Sequence, residues 1–301
     1  MAKPVPLAVW DRRDGEVHPD WMDDGKSHYE SRPGRSPTQW LESQPLYDCF
    51  YAALQNSRWS RRKITPFIEK HRIDMTQFES VEYNSYNEFF IRKFRPGVRE
   101  FPADPNELGA FAEARYFGWD SVSDEQKFPI KGRSLNAEEI MGNAQRARAF
   151  AGGPVLLARL APVDYHRIHY PDDGKTLESD RIGGRLWTIN WRALQNKPDI
   201  LFRNERHVQI LETRNFGRVG FVEIGAMTVG RIAQTHPVEK PFSRGAEKGY
   251  FSFGGSAIVL FGEPGAWRPN ADILKQTPEG IETFVRLGEP IAQALRAPAP
   301  S

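Results

Sequence analysis

Apolar positions along this chain change their period near residue 100. Before that point the spacing is helical. Leu46, Phe50, Ala53 and Leu54 fall on one face of a helix beginning at Pro45, a residue suited to a first helical turn. Ile64, Phe67 and Ile68 share one side of a second, shorter helix. Residues 85–100 predict an amphipathic helix that Pro96-Gly97 ends. A Pro/Asp-rich connector spans Phe101–Leu108, and β patterning dominates from there. Strands are predicted over Gly109–Phe117, Pro154–Leu160, Arg185–Ile189, His207–Thr213, Val219–Ile232 and Ser256–Leu260. Further helices are expected near Asn136–Met141 and Glu279–Val285. Residues 1–44, rich in Asp, Gly, Pro, Ser and Arg, show no clear period and read as an irregular arm, with turns at Pro33-Gly34 and Ser36-Pro37. The pattern therefore predicts an α+β fold in which N-terminal helices pack on a large β-rich core. It divides the chain into an arm (1–44), a helical region (45–100) and the core (101–301). Neither an internal repeat nor a low-complexity tract interrupts it.

Composition narrows the classes of function. With 39% hydrophobic and 27% charged residues among 301, the chain reads as globular rather than disordered. A net charge of +2 is too small to argue for nucleic acid. The single cysteine, Cys49, excludes an internal disulfide framework and a cysteine-rich metal site, and fits a reducing compartment. The N-terminal residues have no long apolar core and do not read as a signal peptide. No apolar run approaches the roughly 20 residues that span a bilayer, so any membrane contact is expected to be peripheral. One basic cluster stands out: Arg58, Arg61, Arg62 and Lys63 surround Trp59. It reads either as the solvated edge of two core-packing helices or as a docking surface for anionic headgroups. Periodicity does not separate the two.

Two stretches carry candidate chemistry. In Lys248–Phe261, aromatic residues lead into Gly254-Gly255-Ser256, and an apolar run follows. Paired glycines let the backbone bend sharply before the strand, and the serine hydroxyl is then placed to attack the carbonyl before it. The plain alternative is a β-turn with a polar cap. The second stretch, Leu160–Gly174, holds His166 and His169 beside Asp164 and Tyr165. Histidine titrates near neutrality, so a close pair suits proton transfer. His-x-x-His is also a metal-ligand spacing, but no further grouping completes a familiar site. The third reading is a pair of histidines at the surface or core edge. His18, His28, His71, His207 and His236 lie scattered and receive no role.

Taken together, the two stretches resemble the phosphatidylserine decarboxylases. The likeness rests on Asp164-Tyr-His-Arg-Ile-His169-x-Pro-x-x-Gly174 and, far downstream, on an aromatic-flanked Gly-Gly-Ser before an apolar strand. Matches in the same order are Tyr86–Arg99, Lys131-Gly132-x-Ser134-Leu135, Asn204-Glu205-Arg206 and Arg286–Ile291. The resemblance covers about residues 45 to 293 and points to the short bacterial form.

The resemblance implies a proenzyme that cleaves itself between Gly255 and Ser256 into a large and a small chain. Ser256 becomes a covalent pyruvoyl group, with no metal. This group converts phosphatidylserine to phosphatidylethanolamine and CO₂ through a Schiff base, the electron-sink role that other cofactors play elsewhere. By the same resemblance His169 is the base of self-cleavage, His166 reprotonates the product carbanion, and Glu113 is the carboxylate that orients the base. Two departures stand out. Glu113 replaces the family's usual aspartate, and Ala257 replaces a threonine. The implied partners are phosphatidylserine, an anionic membrane surface on the cytoplasmic side, the protein's own cleaved chains, and a homodimer. Two alternatives share parts of this reading: a pyruvoyl-dependent decarboxylase of a soluble amino acid, aromatic ones included, and an uncleaved lipid-binding homologue.

Overall fold

The computed structural model describes residues 8–19, 45–122, 137–184, 187, 189, 199–226, 232–252 and 256–295. Runs with few polar residues form the centre of its main sheet. The sheet contains β1 (Ala8–Asp11), β2 (Glu16–Pro19), β4 (Ala114–Trp119), β5 (Val155–Leu160), β7 (Gly174–Ile182), β8 (Arg206–Thr213), β9 (Arg218–Ile224), β12 (Ser256–Gly262) and β14 (Ile281–Val285), in the order β2-β1-β14-β4-β5-β12-β9-β8-β7. All neighbours are antiparallel except β1 and β14. Every residue of β4, β5 and β12 is buried, as expected of strands covered on both faces. The polar β7 lies at one edge and is largely open to solvent.

Two small sheets complete the core. One has the order β10-β11-β6, with β6 at Arg167–His169, β10 at Ile232–Gln234 and β11 at Glu247–Phe251. The other joins β13 (Trp267–Pro269), β15 (Pro290–Ala294) and β3 (Glu107–Gly109). The helical region holds α1 (Pro45–Asn56), α2 (Ile64–His71) and α3 (Tyr86–Phe90). Ile64, Tyr86 and Phe89 form its own small core. Short helices α4 (Ala137–Met141), α5 (Ala144–Arg148), α6 (Ile200–Arg203) and α7 (Ala271–Gln276) punctuate the β region. The expected α+β class, with helices packed on a large β core, describes this architecture.

Several elements differ from expectation, each for a local reason. The helix predicted over 85–100 ends at Phe90. Ser85 caps it by accepting the Glu88 N–H at 3.2 Å, but Lys93 and Arg95 then bond to Glu79 and Gln77 in extended chain. Pro96 favours that outcome, because the residue before a proline avoids helical backbone. Glu279–Val285 is not a helix. A short turn ends at Gly280, whose φ of +71° suits glycine, and the β-branched Ile281, Thr283 and Val285 continue as β14. Gly109–Phe117 is not one strand: the chain leaves β3, passes from one sheet to another through residues 110–113, and re-enters as β4. Val219–Ile232 is likewise split between β9 and β10. Residues 8–19 within the supposed irregular arm form the β1–β2 hairpin, closed by parallel pairing with β14. On α1, Phe50 and Ala53 face outward rather than inward. Gln55 is buried instead, with Ser60 Oγ donating to its carbonyl at 2.8 Å and Lys63 Nζ to its side chain at 3.3 Å. Lys131–Leu135, Gly254-Gly255 and most of Arg185–Ile189 lie outside the described residues.

Candidate active site

Ser256 is the first residue of β12 and pairs with Leu160 of β5. Alternation along a strand puts Ser256 and Ile258 on one face, and Ile258 lies directly across from Glu223 of β9. The Glu223 carboxylate accepts from Lys248 Nζ of β11 at 2.6 Å and also from Gln234 of β10. The Ser256 side chain therefore faces the small β10-β11-β6 sheet. That sheet also positions both histidines. The His166 carbonyl accepts the Phe251 N–H at 2.9 Å, and His169 lies across from Glu247. Ser256 Oγ is buried and has no hydrogen-bond partner among the described residues. Among the described residues, no hydrogen bond joins it to either imidazole.

His169 donates from Nδ1 to the Gly245 carbonyl at 2.8 Å, since a carbonyl only accepts. Its Nε2 therefore carries the lone pair, and the Tyr165 hydroxyl reaches it at 3.3 Å. Burial pushes the His169 pKa down, against the pull of the Gly245 carbonyl and Glu247. The ring is thus neutral at pH 7 and can accept a proton at Nε2. His166 is fully buried and donates from Nδ1 to the Asp164 carbonyl at 3.0 Å. Its ring packs against Phe90 of α3, with centroids 3.9 Å apart. Asp164 shapes the turn that precedes both histidines. Its carboxylate takes the Ala161 N–H at 2.6 Å and pairs with Arg115. Burial pushes Asp164 up to about 6, although Arg115 and the Ala161 N–H hold it down.

Glu113 sits in the crossing between β3 and β4. Arg99 grips it with two bonds, at 2.7 and 3.2 Å, and the Leu287 N–H adds a third at 3.3 Å. Among the described residues it makes no hydrogen bond to His169, the contact expected of an orienting carboxylate. A cavity of about 610 Å³ opens beside Glu113, Asp164 and Tyr165, lined by six arginines and five carboxylates, so its charge is nearly balanced. Neither Ser256 nor either histidine lines it. Among the described residues, no group of three His, Cys, Asp or Glu side chains is placed to hold a metal ion.

Sequence reasoning singled out the serine and both histidines but missed the Gly245 carbonyl that meets His169 and the buried Lys248–Glu223 pair. A main-chain acceptor leaves no signature in side-chain identity. The ion pair is invisible until β9 and β11 are known to belong to facing sheets.

A buried hydroxyl and two imidazoles share one interface between sheets, side chains of the kinds used in nucleophilic and proton-transfer chemistry. The chain belongs to the phosphatidylserine decarboxylase family, whose sequence model matches residues 86–293. It is 38% identical over 269 residues to the phosphatidylserine decarboxylase proenzyme of Ruminiclostridium cellulolyticum, covering 89% of this chain and 90% of that one. The proenzyme of Chlamydia pneumoniae is 32% identical over 89% of this chain and 90% of its own. That of Clostridium botulinum is 35% identical over 89% and 91%.

Proposed function

We propose that the protein is a self-processing phosphatidylserine decarboxylase that releases CO₂ and phosphatidylethanolamine. One observation carries the reading: buried Ser256 opens the central strand β12 on the face covered by the sheet that holds His166 and His169. In self-cleavage, Ser256 Oγ attacks the Gly255 carbonyl and its own amide nitrogen leaves, which turns the peptide bond into an ester. His169 Nε2 takes the Ser256 α-proton, and β-elimination expels the Gly255 carboxylate. Residue 256 is left as dehydroalanine, which tautomerises to an imine. Water adds, ammonia leaves, and a pyruvoyl cap remains.

The surroundings suit such a group, because Oγ is enclosed and unclaimed by any described donor or acceptor. Once in place, the pyruvoyl supplies an electron sink for loss of CO₂. His166, held by the Asp164 carbonyl and Phe90, returns a proton to the product carbon. The Glu113 carboxylate is held by Arg99, and the Tyr165 hydroxyl, whose pKa burial raises, is the group that reaches His169 Nε2.

Substrate reaches this site from a membrane surface. Phe50, Trp59 and Val81 are 69%, 63% and 55% exposed, and Trp59 carries Arg62 stacked 3.2 Å above its ring. Apolar side chains amid Arg58, Arg61, Arg62 and Lys63 suit an anionic bilayer. Among the described residues, no helix is long and apolar enough to cross a membrane.

Intact-mass measurement tests the scheme. Wild-type protein should give two chains, the smaller beginning with a pyruvoyl at 256. Ser256→Ala and His169→Ala should each give one chain. His166→Ala should cleave and then release no CO₂ from phosphatidylserine vesicles. An uncleaved wild type, or turnover of free serine in place of the lipid, overturns the reading.

A further inference from the structure

We propose that the main-chain carbonyl of Gly245 is the group that orients His169, and that the buried Asp172–Arg244 pair holds this carbonyl in place. The inference rests on the reading of His169 as the self-processing base.

His169 Nδ1 lies 2.8 Å from the Gly245 oxygen, while the carboxylate of Glu113 is committed to Arg99. The Gly245 N–H donates to the Tyr170 carbonyl at 2.8 Å, and Tyr170 N–H donates to Ala246 at 2.9 Å. The loop is thus tied to the residue that follows the imidazole. To turn its carbonyl toward the ring, Gly245 takes a φ of +77°. A Cβ there would also come within 2.9 Å of Phe101 Cδ2, so only glycine fits without displacement.

Arg244 fixes the loop. It donates to Asp172 Oδ1 at 2.8 Å through Nη2 and, through Nη1, to the Pro102 and Asp104 carbonyls at 2.8 and 2.9 Å. Its own N–H bonds to Asp173 at 2.9 Å. Asp172 is fully buried and also binds Asn215 through the main chain at 2.8 Å and the side chain at 2.9 Å. One enclosed carboxylate therefore ties together three segments, and the adjacent carbonyl is the one that meets His169. A charged acceptor touching the ring would favour the imidazolium, whereas a neutral carbonyl fixes the tautomer and leaves Nε2 basic. The carboxylate thus acts through an arginine and a peptide group. Asp172 and Arg244 are positioning residues in this scheme.

The test uses two readouts. In the uncleaved Ser256→Ala protein labelled with ¹⁵N-histidine, His169 should give a slowly exchanging Nδ1–H signal with Nε2 unprotonated. Asp172→Asn should weaken or lose that signal, while Glu113→Gln should keep it. With Ser256 restored, Asp172→Asn should slow self-cleavage at least tenfold by intact mass. If Asp172→Asn does not yield folded protein, Arg244→Lys carries the same test, because an ammonium keeps the charge but not the fork. The inference is overturned if both Asp172→Asn and Arg244→Lys leave the Nδ1–H signal intact, or if Glu113→Gln removes it. A wild type that never cleaves would instead strike at the functional reading, and the tautomer measurement would still stand.

Discussion

Lys248 and Glu223 are both fully buried and meet at 2.6 Å on the interface that Ser256 faces. Lys248 Nζ also donates to Gln234 Oε1 at 2.8 Å, and His207 Nδ1 approaches Glu223 at 3.3 Å. Burial alone would raise the Glu223 pKa, but Lys248 and His207 outweigh it and hold the group below its usual range. Lys248→Met in the uncleaved Ser256→Ala protein removes the cation and leaves an enclosed carboxylate with only neutral or weakly charged neighbours. Breaking a buried pair from one side costs about 3–5 kcal/mol. Urea unfolding followed by tryptophan fluorescence at pH 7 measures it. The deficit should shrink at pH 5, where the orphaned Glu223 takes up a proton. Lys248→Met combined with Glu223→Gln should recover most of the loss, since no charge then stays buried. A single variant within ~1 kcal/mol of its parent at pH 7, or a double no better than the single, would refute the reasoning.

Asp164 gives a second pH signature. Its pKa is 3.8 as an ordinary aspartate and about 6 when folded, so its contribution is fully present below pH 4 and is lost as pH rises through about 6. Between pH 4.5 and 7 the loss is on the order of 2 kcal/mol, read as the part of the urea-stability change over that range that Asp164→Asn abolishes; a pH dependence unchanged by that substitution counts against it. At the proposed docking surface, Phe50→Ser and Trp59→Ser should each weaken partitioning onto anionic vesicles ~10-fold in co-sedimentation, about the effect of losing one buried apolar side chain. Equal binding by the double variant and wild type would remove that surface from the model of docking.

What could be read from the chain followed from how local its cause was. β5 and β12 were legible because each is a short, largely apolar run whose burial decides its conformation. Ser256, His166 and His169 stood out as candidate chemistry because their residue types are informative and the two histidines lie three apart. Elements held by distant partners were not. The β1–β2 hairpin depends on β14, more than 260 residues along the chain, and β14 itself has a helix-like lead-in at Thr277–Glu279. The role expected of Glu113 came from its match to the position of the family's aspartate. Arg99, fourteen residues upstream, holds that carboxylate. Phe50 was assigned inward by periodicity alone, whereas the buried place goes to Gln55, whose side-chain oxygen accepts from Lys63.

The position of β12 has one more consequence. It lies between β5 and β9, and β14, from the same side of Ser256, lies between β1 and β4. A cut before Ser256 would leave a short peptide threaded through the middle of the sheet in two places. Neither piece could depart without dismantling the other, so the mature enzyme would hold together without a covalent link. Its assembly, however, would be recorded only in the uncut chain. Once denatured, two separate polypeptides would have to find each other at finite concentration, and unfolding would become in practice a one-way event. Folding must therefore come first and cutting second, and the proenzyme serves as the template for a structure that its products could not readily rebuild.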